Sequence, residues 1–543
     1  MSGEPLFFPS SSASSSGDGD NDGDGDGAVD SDVDGAVERL RALTTSVVDA
    51  LGRWGRGPGP CSGISPQVLA TLVEAIDVCP DEPVAFEDVL EDIGERVLRH
   101  GVRPSDPATV AHLHASTLLT AAATELAIGV TNQSMDSFDQ APAATLLEDH
   151  LVRWLAHRLG LPDGASGVLT AGGTASNLLG LLLARDHAVA RSGKGTGAHE
   201  SVAAGGLPTE ARGWRIVASA EAHFSVQRAA AVLGLGHRAV VPVATDDHGR
   251  IDVAALDLVL VDLDRQGLRT VAVVGTAGTT DLGAIDPLAA LADRADARRA
   301  WFHVDAAVGA GLGFSDRLLP RLAGLERADS ITADLHKLGW QPIGASVLLV
   351  RDRSRFDVVR HPSDYLDRAD DDPDESGMPN LVGRSLDTSR RFDALKVVVS
   401  LRSTGRRRMA AMVEHLVDTT AAVAALVEAA PDLELLAPAS LVTVVFRWRP
   451  PGTALDDGTL DEVNTAIQRT LFAQGTAVVG RTRRHGRVAL KLTLVNPATT
   501  VADVGEVLEL VRTAGVDRAK TRPSGAPTGS PTDQTVEEEG ARA

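Results

Sequence analysis

Two short stretches hold residue types that can run a carbonyl cofactor: His303-Val-Asp-Ala-Ala307 and, downstream, Ala328-Asp-Ser-Ile-Thr-Ala-Asp-Leu-His-Lys337. A lysine amine can hold an aldehyde-bearing cofactor as an imine. A carboxylate beside a pyridine nitrogen favours its protonated form, and the protonated ring draws electrons from a breaking bond. Lys337 and Asp305 are the candidates for these two tasks, and the cofactor they point to is pyridoxal 5'-phosphate. Lysine is scarce, which narrows the choice: only Lys194, Lys337, Lys396, Lys491 and Lys520 occur. Arginine supplies most of the positive charge but cannot replace an imine-forming amine, because its guanidinium stays protonated.

Three further segments can assist. Leu169-Thr-Ala-Gly-Gly-Thr-Ala-Ser-Asn177 precedes the apolar run 178–184, so Gly173 and Thr174 stand where a helix begins. Unpaired N–H groups and the positive helix end can hold a phosphate there, although the same residues also make an ordinary turn and cap. The segment does not fit the Gly-Lys-Ser/Thr spacing of a nucleoside-triphosphate loop. His223, in Ala220-Glu-Ala-His-Phe-Ser225, follows a strand-like run, where an imidazole can stack on a flat cofactor; a histidine satisfied in the core is the plainer alternative. Thr280, in Gly278-Thr-Thr-Asp281, also lies just past a strand, as either a site residue or a glycine-bounded turn.

Elements must position these residues. Short β-branched runs at Trp214-Arg-Ile-Val, Ala239-Val-Val-Pro-Val, Thr270-Val-Ala-Val-Val, Trp301-Phe-His-Val and Ala345-Ser-Val-Leu-Leu-Val alternate with apolar helical segments. That pattern predicts an α/β fold with a mainly parallel sheet covered on both faces, whose ligands gather at the strand carboxyl ends. A helix near 391–405 precedes a smaller α+β unit with strands at Leu441-Val-Thr-Val-Val-Phe and Val488-Ala-Leu-Lys-Leu-Thr-Leu. The expected organisation is a disordered acidic tail over 1–34, a helical arm over 35–109, a large cofactor domain over 110–390, a small domain over 391–515 and a disordered tail over 516–543. The polar, acidic segment 361–390 reads as a lid or as a solvated loop.

The 543-residue chain is acidic, with net charge −22, and 1–34 alone carries Glu4 and eight aspartates without a single Lys or Arg. A nucleic-acid partner is not expected of such a chain. The clusters Arg406-Arg-Arg408 and Arg481-Thr-Arg-Arg484 read as solvated surface. Two cysteines, Cys61 and Cys79, form no zinc pattern, and no metal is expected. Neither a secretory signal nor an apolar stretch of membrane-spanning length is read, so the expected setting is cytoplasmic.

In this order the segments resemble the group II pyridoxal-phosphate-dependent amino-acid decarboxylases, over about residues 85–515. The bacterial 2,4-diaminobutyrate and lysine decarboxylases are the most similar in flavour, through Asn132-Gln-Ser-Met-Asp-Ser-Phe-Asp-Gln140, Gln341-Pro342, Arg391-Phe-Asp-Ala-Leu-Lys396 and Leu490-Lys-Leu-Thr-Leu-Val-Asn-Pro-Ala-Thr-Thr500. The resemblance implies the aspartate aminotransferase type I fold, a homodimer with its active site at the interface, and α-decarboxylation of an L-amino acid. It implies Lys337 as the cofactor lysine, Asp305 on the ring nitrogen and His223 stacked on the ring. Gly173, Thr174 and His336 are implied near the phosphate, and Thr280 and Asp334 along the pocket. Tyr365, in His361-Pro-Ser-Asp-Tyr-Leu366, matches the family tyrosine that returns a proton after carbon dioxide leaves.

The chain departs from that pattern at Leu338-Gly-Trp340 and at His112-Leu-His-Ala-Ser-Thr117, both expected near the substrate. The substrate expectation is therefore broad: 2,4-diaminobutyrate, lysine or ornithine, or a branched aliphatic such as valine. An oxidative decarboxylase giving an aldehyde is the alternative within the family. A Rossmann oxidoreductase or a silent binding protein is the alternative outside it, although no Gly-x-Gly-x-x-Gly follows a first strand.

Overall fold

The computed structural model describes residues 26–57, 59–190, 202–361, 379–452 and 455–520. Three helices lead: α1 (Asp26–Trp54), α2 (Pro66–Glu74) and α3 (Phe86–Arg96). α3 lies against α1 where Gly94 meets Trp54; a methyl group at Gly94 would fall 1.7 Å from the indole. α1 begins at Asp26, within the segment 1–34 expected as a tail, while residues 1–25 lie outside the described residues. At the other end, the helix Val501–Lys520 runs past the expected boundary at 515.

α4 (Leu119–Thr131) and α5 (Pro142–Arg158) lead into the large sheet. Its strands are β1 (Ser166–Thr170), β2 (Trp214–Ser219), β3 (Val240–Val243), β4 (Arg269–Thr276), β5 (Trp301–Asp305), β6 (Ser330–Asp334) and β7 (Ser346–Val350). They lie in the order β1-β7-β6-β5-β4-β2-β3. All neighbours are parallel except at β7, which runs antiparallel to both β1 and β6. Interleaved are α6 (Gly173–Ala190), α7 (Val202–Gly205), α8 (Ser225–Val232), α9 (Val253–Arg265) and α10 (Leu288–Arg298). Strands β5, β6 and β7 are buried at every position, which is why they read as continuous apolar runs rather than alternating ones. In register, Thr276 of β4 stands beside Asp305 of β5, and Asp305 beside Thr332 of β6. Three carboxyl ends therefore open onto one crevice.

The second sheet is antiparallel: β8 (Leu433–Leu435), β9 (Thr443–Trp448), β10 (Gly480–Arg484) and β11 (Arg487–Thr493), in the order β10-β11-β9-β8. Helices Arg406–Ala429, Asp457–Ala473 and Val501–Lys520 accompany it. Contrary to the sequence reading, the 24-residue helix Arg406–Ala429 is long and apolar enough to cross a membrane. Its Ala, Val and Leu residues raise its hydropathy, and Met409, Val413, Leu416, Val423 and Val427 are buried in the main core.

Candidate active site

A cavity of about 360 Å³ opens at the shared strand ends. Lys337, Asp305, His223 and Thr280 stand on its wall, as do Gly173, Thr174, Asp334 and His336. Asp305 and Asp334 are the last residues of β5 and β6, and the others lie in the segments that follow a strand. β1 ends at Thr170, and after two intervening residues α6 begins at Gly173, so the first N–H groups of α6, which have no intrahelical carbonyl, face this region. Gly173 is needed there: a methyl group on it would sit 2.9 Å from both carboxylate oxygens of Asp334. Gly278, with φ of 101°, turns the chain after β4 toward Thr280, and its added methyl would meet Val308 at 2.8 Å.

Lys337 Nζ lies 2.8 Å from Asp334 Oδ2, and Ser346 Oγ donates to Asp334 Oδ1 at 2.6 Å. Asp305 Oδ1 accepts from the Ala307 N–H at 3.1 Å, and its Oδ2 accepts from Asn177 Nδ2 at 2.8 Å. Burial lowers the pKa of His223, against the opposing pull of Asp305, and burial also lowers that of His336. Both shifts favour the neutral ring. His303, behind Asp305 and wholly buried, is pushed down to about 4 by burial.

A stability test follows from His303. Its folded pKa lies below the unfolded value of 6.5, so below pH 6.5 the unfolded chain takes up a proton that the fold refuses. This group therefore removes stability as pH falls from 6.5 toward 4, by up to about 1.4 kcal/mol per pH unit. Urea midpoints of the native protein should fall more steeply over that window than those of His303→Gln, and parallel slopes would contradict the assignment.

Of the five lysines, Lys194 lies outside the described residues and Lys520 is exposed at the end of its helix. Lys396 is fully buried between Glu125 at 2.8 Å and Asp393 at 2.9 Å. Two remain on the cavity wall, Lys337 and Lys491. Lys491 Nζ donates to Asp281 Oδ1 at 2.7 Å and to the Thr280 carbonyl at 3.1 Å. The sequence reading had not placed Lys491 here, since a lysine inside a β-run gives no local sign of facing a cavity from another sheet.

Several expectations change. Leu338 and Trp340 are 1% exposed and belong to the core, with Trp340 Nε1 donating to the Val495 carbonyl at 2.8 Å. The departure at 338–340 is thus a packing change, whereas Ile343 and His112 do reach the cavity. Arg484 is not solvated but 4% exposed, with Glu221 beside it. In the expected lid, residues 362–378, including Tyr365, lie outside the described residues. The end of that segment is anchored: Leu381 is buried, Arg384 pairs with Asp149 at 2.6 Å and Arg390 with Glu148 at 2.8 Å.

The donor set fits a phosphorylated pyridine aldehyde: a helix start for an anion, a buried carboxylate for a protonated ring nitrogen, and a primary amine for the carbonyl. With this sheet, the arrangement defines a pyridoxal-phosphate enzyme of the aspartate aminotransferase type. The pyridoxal-dependent decarboxylase conserved domain matches residues 69–449. The L-2,4-diaminobutyrate decarboxylase of Rhizobium meliloti (strain 1021) is 41% identical, covering 83% of this chain and 86% of that protein. Its namesake from Acinetobacter baumannii is 37% identical, covering 82% and 87%. A solved structure from Vibrio parahaemolyticus, the glutamate decarboxylase domain of diaminobutyrate-pyruvate transaminase and L-2,4-diaminobutyrate decarboxylase, gives a TM-score of 0.79. It is 35% identical and covers 88% of this chain and 96% of that one. The chain belongs to the pyridoxal-dependent decarboxylase family and is a pyridoxal-phosphate-dependent amino-acid decarboxylase. The Rossmann alternative falls with that match.

Proposed function

We propose that this decarboxylase acts on L-2,4-diaminobutyrate, releasing carbon dioxide and propane-1,3-diamine. The observation that carries this reading is the pair of L-2,4-diaminobutyrate decarboxylases, 41% and 37% identical over more than four-fifths of the chain. When bound, the cofactor supplies the electron sink for cleavage at the substrate α-carbon. Lys337 holds it covalently, Asp305 keeps its ring nitrogen protonated and His223 lies against the ring. Gly173, Thr174 and His336 cradle the phosphate, while Thr280 and Asp334 shape the wall. Tyr365 returns the proton to the α-carbon, and this assignment rests on the sequence alone. The enzyme works as a homodimer in a cytoplasmic setting. Support for the pairing is that Leu119 and Ile343, 85% and 70% exposed, border the open cleft next to the cavity.

With Lys337 engaged by the cofactor, Lys491 is the remaining ammonium on the described wall. Its contacts to Asp281 and Thr280 hold it in place to receive the substrate carboxylate. Lys491→Met should raise KM roughly tenfold or more, the scale of a lost hydrogen bond to a charged group, while the bound cofactor's visible absorbance persists. An unchanged KM would leave Lys491 only the task of pinning the Thr280 loop.

The reading is tested by measuring carbon dioxide and product for the L-isomers of 2,4-diaminobutyrate, ornithine, lysine, valine and glutamate. The highest kcat/KM is expected for 2,4-diaminobutyrate, with one amine formed per carbon dioxide. Preference for another of these acids would refute the substrate, and aldehyde with ammonia in place of amine would favour the oxidative alternative.

A further inference from the structure

A buried polar chain runs behind the cavity, and the charge on Asp305 sets its direction. A carboxylate only accepts, so Asn177 must turn its amide nitrogen toward Asp305 Oδ2, 2.8 Å away. The amide oxygen then faces His303 Nε2 at 2.9 Å, which places the imidazole proton on that nitrogen. His303 Nδ1 is left as an acceptor and takes the hydroxyl proton of Ser330 at 2.8 Å; Ser330 Oγ accepts in turn from Trp301 Nε1 at 2.8 Å. The second Asn177 N–H donates to Ser225 Oγ at 2.9 Å. The Ser225 hydroxyl proton is thereby directed to His223 Nδ1 at 2.8 Å, and the Ser225 backbone N–H points at the same nitrogen at 3.3 Å. Two donors converge on Nδ1, so a neutral His223 carries its proton on Nε2.

The chain has little room to rearrange. Asn177, Ser225, His303 and Ser330 are each at most 1% exposed. α6 carries Asn177 close over β5 because residue 180 is glycine; a methyl group there would lie 2.8 Å from the His303 ring. A reversed Asn177 amide would set its oxygen against the Asp305 carboxylate where both side chains are buried, a costly arrangement.

We propose that Asn177 is a positioning residue that couples Asp305 to His223. The carboxylate orients the Asn177 amide, and Asn177, through Ser225, holds His223 as a neutral ring whose donor, Nε2–H, is left for the cavity. The inference rests on the roles assigned above to Asp305 and His223. Asp305 on β5 and Asp334 on β6 favour a charged His223, while Lys337 and Arg228 of α8 oppose it. The Ser225 donors add to the second group, since bonds to the unprotonated nitrogen favour the neutral ring.

The test is nitrogen NMR of the full chain labelled with ¹⁵N-histidine, with and without cofactor, the His223 signal being identified by its loss in His223→Gln. Native His223 should show an unprotonated Nδ1 and a protonated Nε2. Asn177→Leu does not alter any atom that touches His223, yet it should move the His223 titration up by about half a pH unit or more. Ser225→Ala should move it the same way, and Ser225→Thr, which keeps the hydroxyl, should restore it. In the cofactor-loaded enzyme, Asn177→Leu should cut kcat about tenfold with cofactor retained. Because the titration is read without cofactor, failure of this coupling is distinguishable from failure of the cofactor assignment. A native His223 protonated on Nδ1, or a folded Asn177→Leu with an unmoved His223 titration, would overturn the proposal.

Discussion

Lys337→Ala is expected to stop turnover, lowering kcat/KM by roughly 10⁴-fold or more, the range in which residues that act covalently make themselves felt. The effect is large because no second amine takes over. Lys396 is locked between two carboxylates, and Lys491 is tied to Asp281 and the Thr280 carbonyl. Arginine at 337 would fare no better, since it has no deprotonated form at working pH. The variant should keep its fold: Lys337 is half-buried at the cavity wall, and its ion pair is with Asp334, whose other oxygen Ser346 still satisfies. Carbon dioxide release and thermal unfolding, measured on one preparation, check both halves; residual turnover within tenfold of native would reject the lysine's role.

Asp305→Asn should leave the shape of the site nearly unchanged and still cost about 3 kcal/mol of barrier, roughly a hundred- to thousandfold in rate. The amide can touch a ring nitrogen but carries no charge to hold a proton on it. It also loosens what lies behind. Asp305 can only accept from Asn177, whereas an asparagine at 305 can meet Asn177 either way round, so the direction of the buried chain is no longer imposed. Steady-state kinetics of the cofactor-saturated variant measure the loss, and near-native kcat would mean that another group tunes the ring.

The large sheet was legible because its strands, buried on both faces, leave unbroken runs such as Thr270-Val-Ala-Val-Val and Ser346-Val-Leu-Leu-Val. β1 was not: Ser166-Gly-Val-Leu-Thr170 is short, contains a glycine and is defined by pairing with β7, far along the chain. Site residues at strand ends, Asp305 and Lys337 foremost, carried a local sign in the turn that follows each strand. Lys491 and His303 carried none of that kind. Lys491 faces the cavity from the other sheet, and His303 matters through partners 126 and 27 residues away. Leu338-Gly-Trp340 misled for the opposite reason: adjacency to Lys337 in sequence suggested the substrate side, but the chain turns inward there and both large side chains enter the core.

The central claim, that one lysine at the end of β6 carries the cofactor beside Asp305, is tested most directly by borohydride reduction of the loaded enzyme followed by peptide mapping. The account predicts a phosphopyridoxyl group on Lys337 alone, at one per chain. A label on Lys491, the other lysine of the cavity wall, or on Lys194, Lys396 or Lys520 would contradict it.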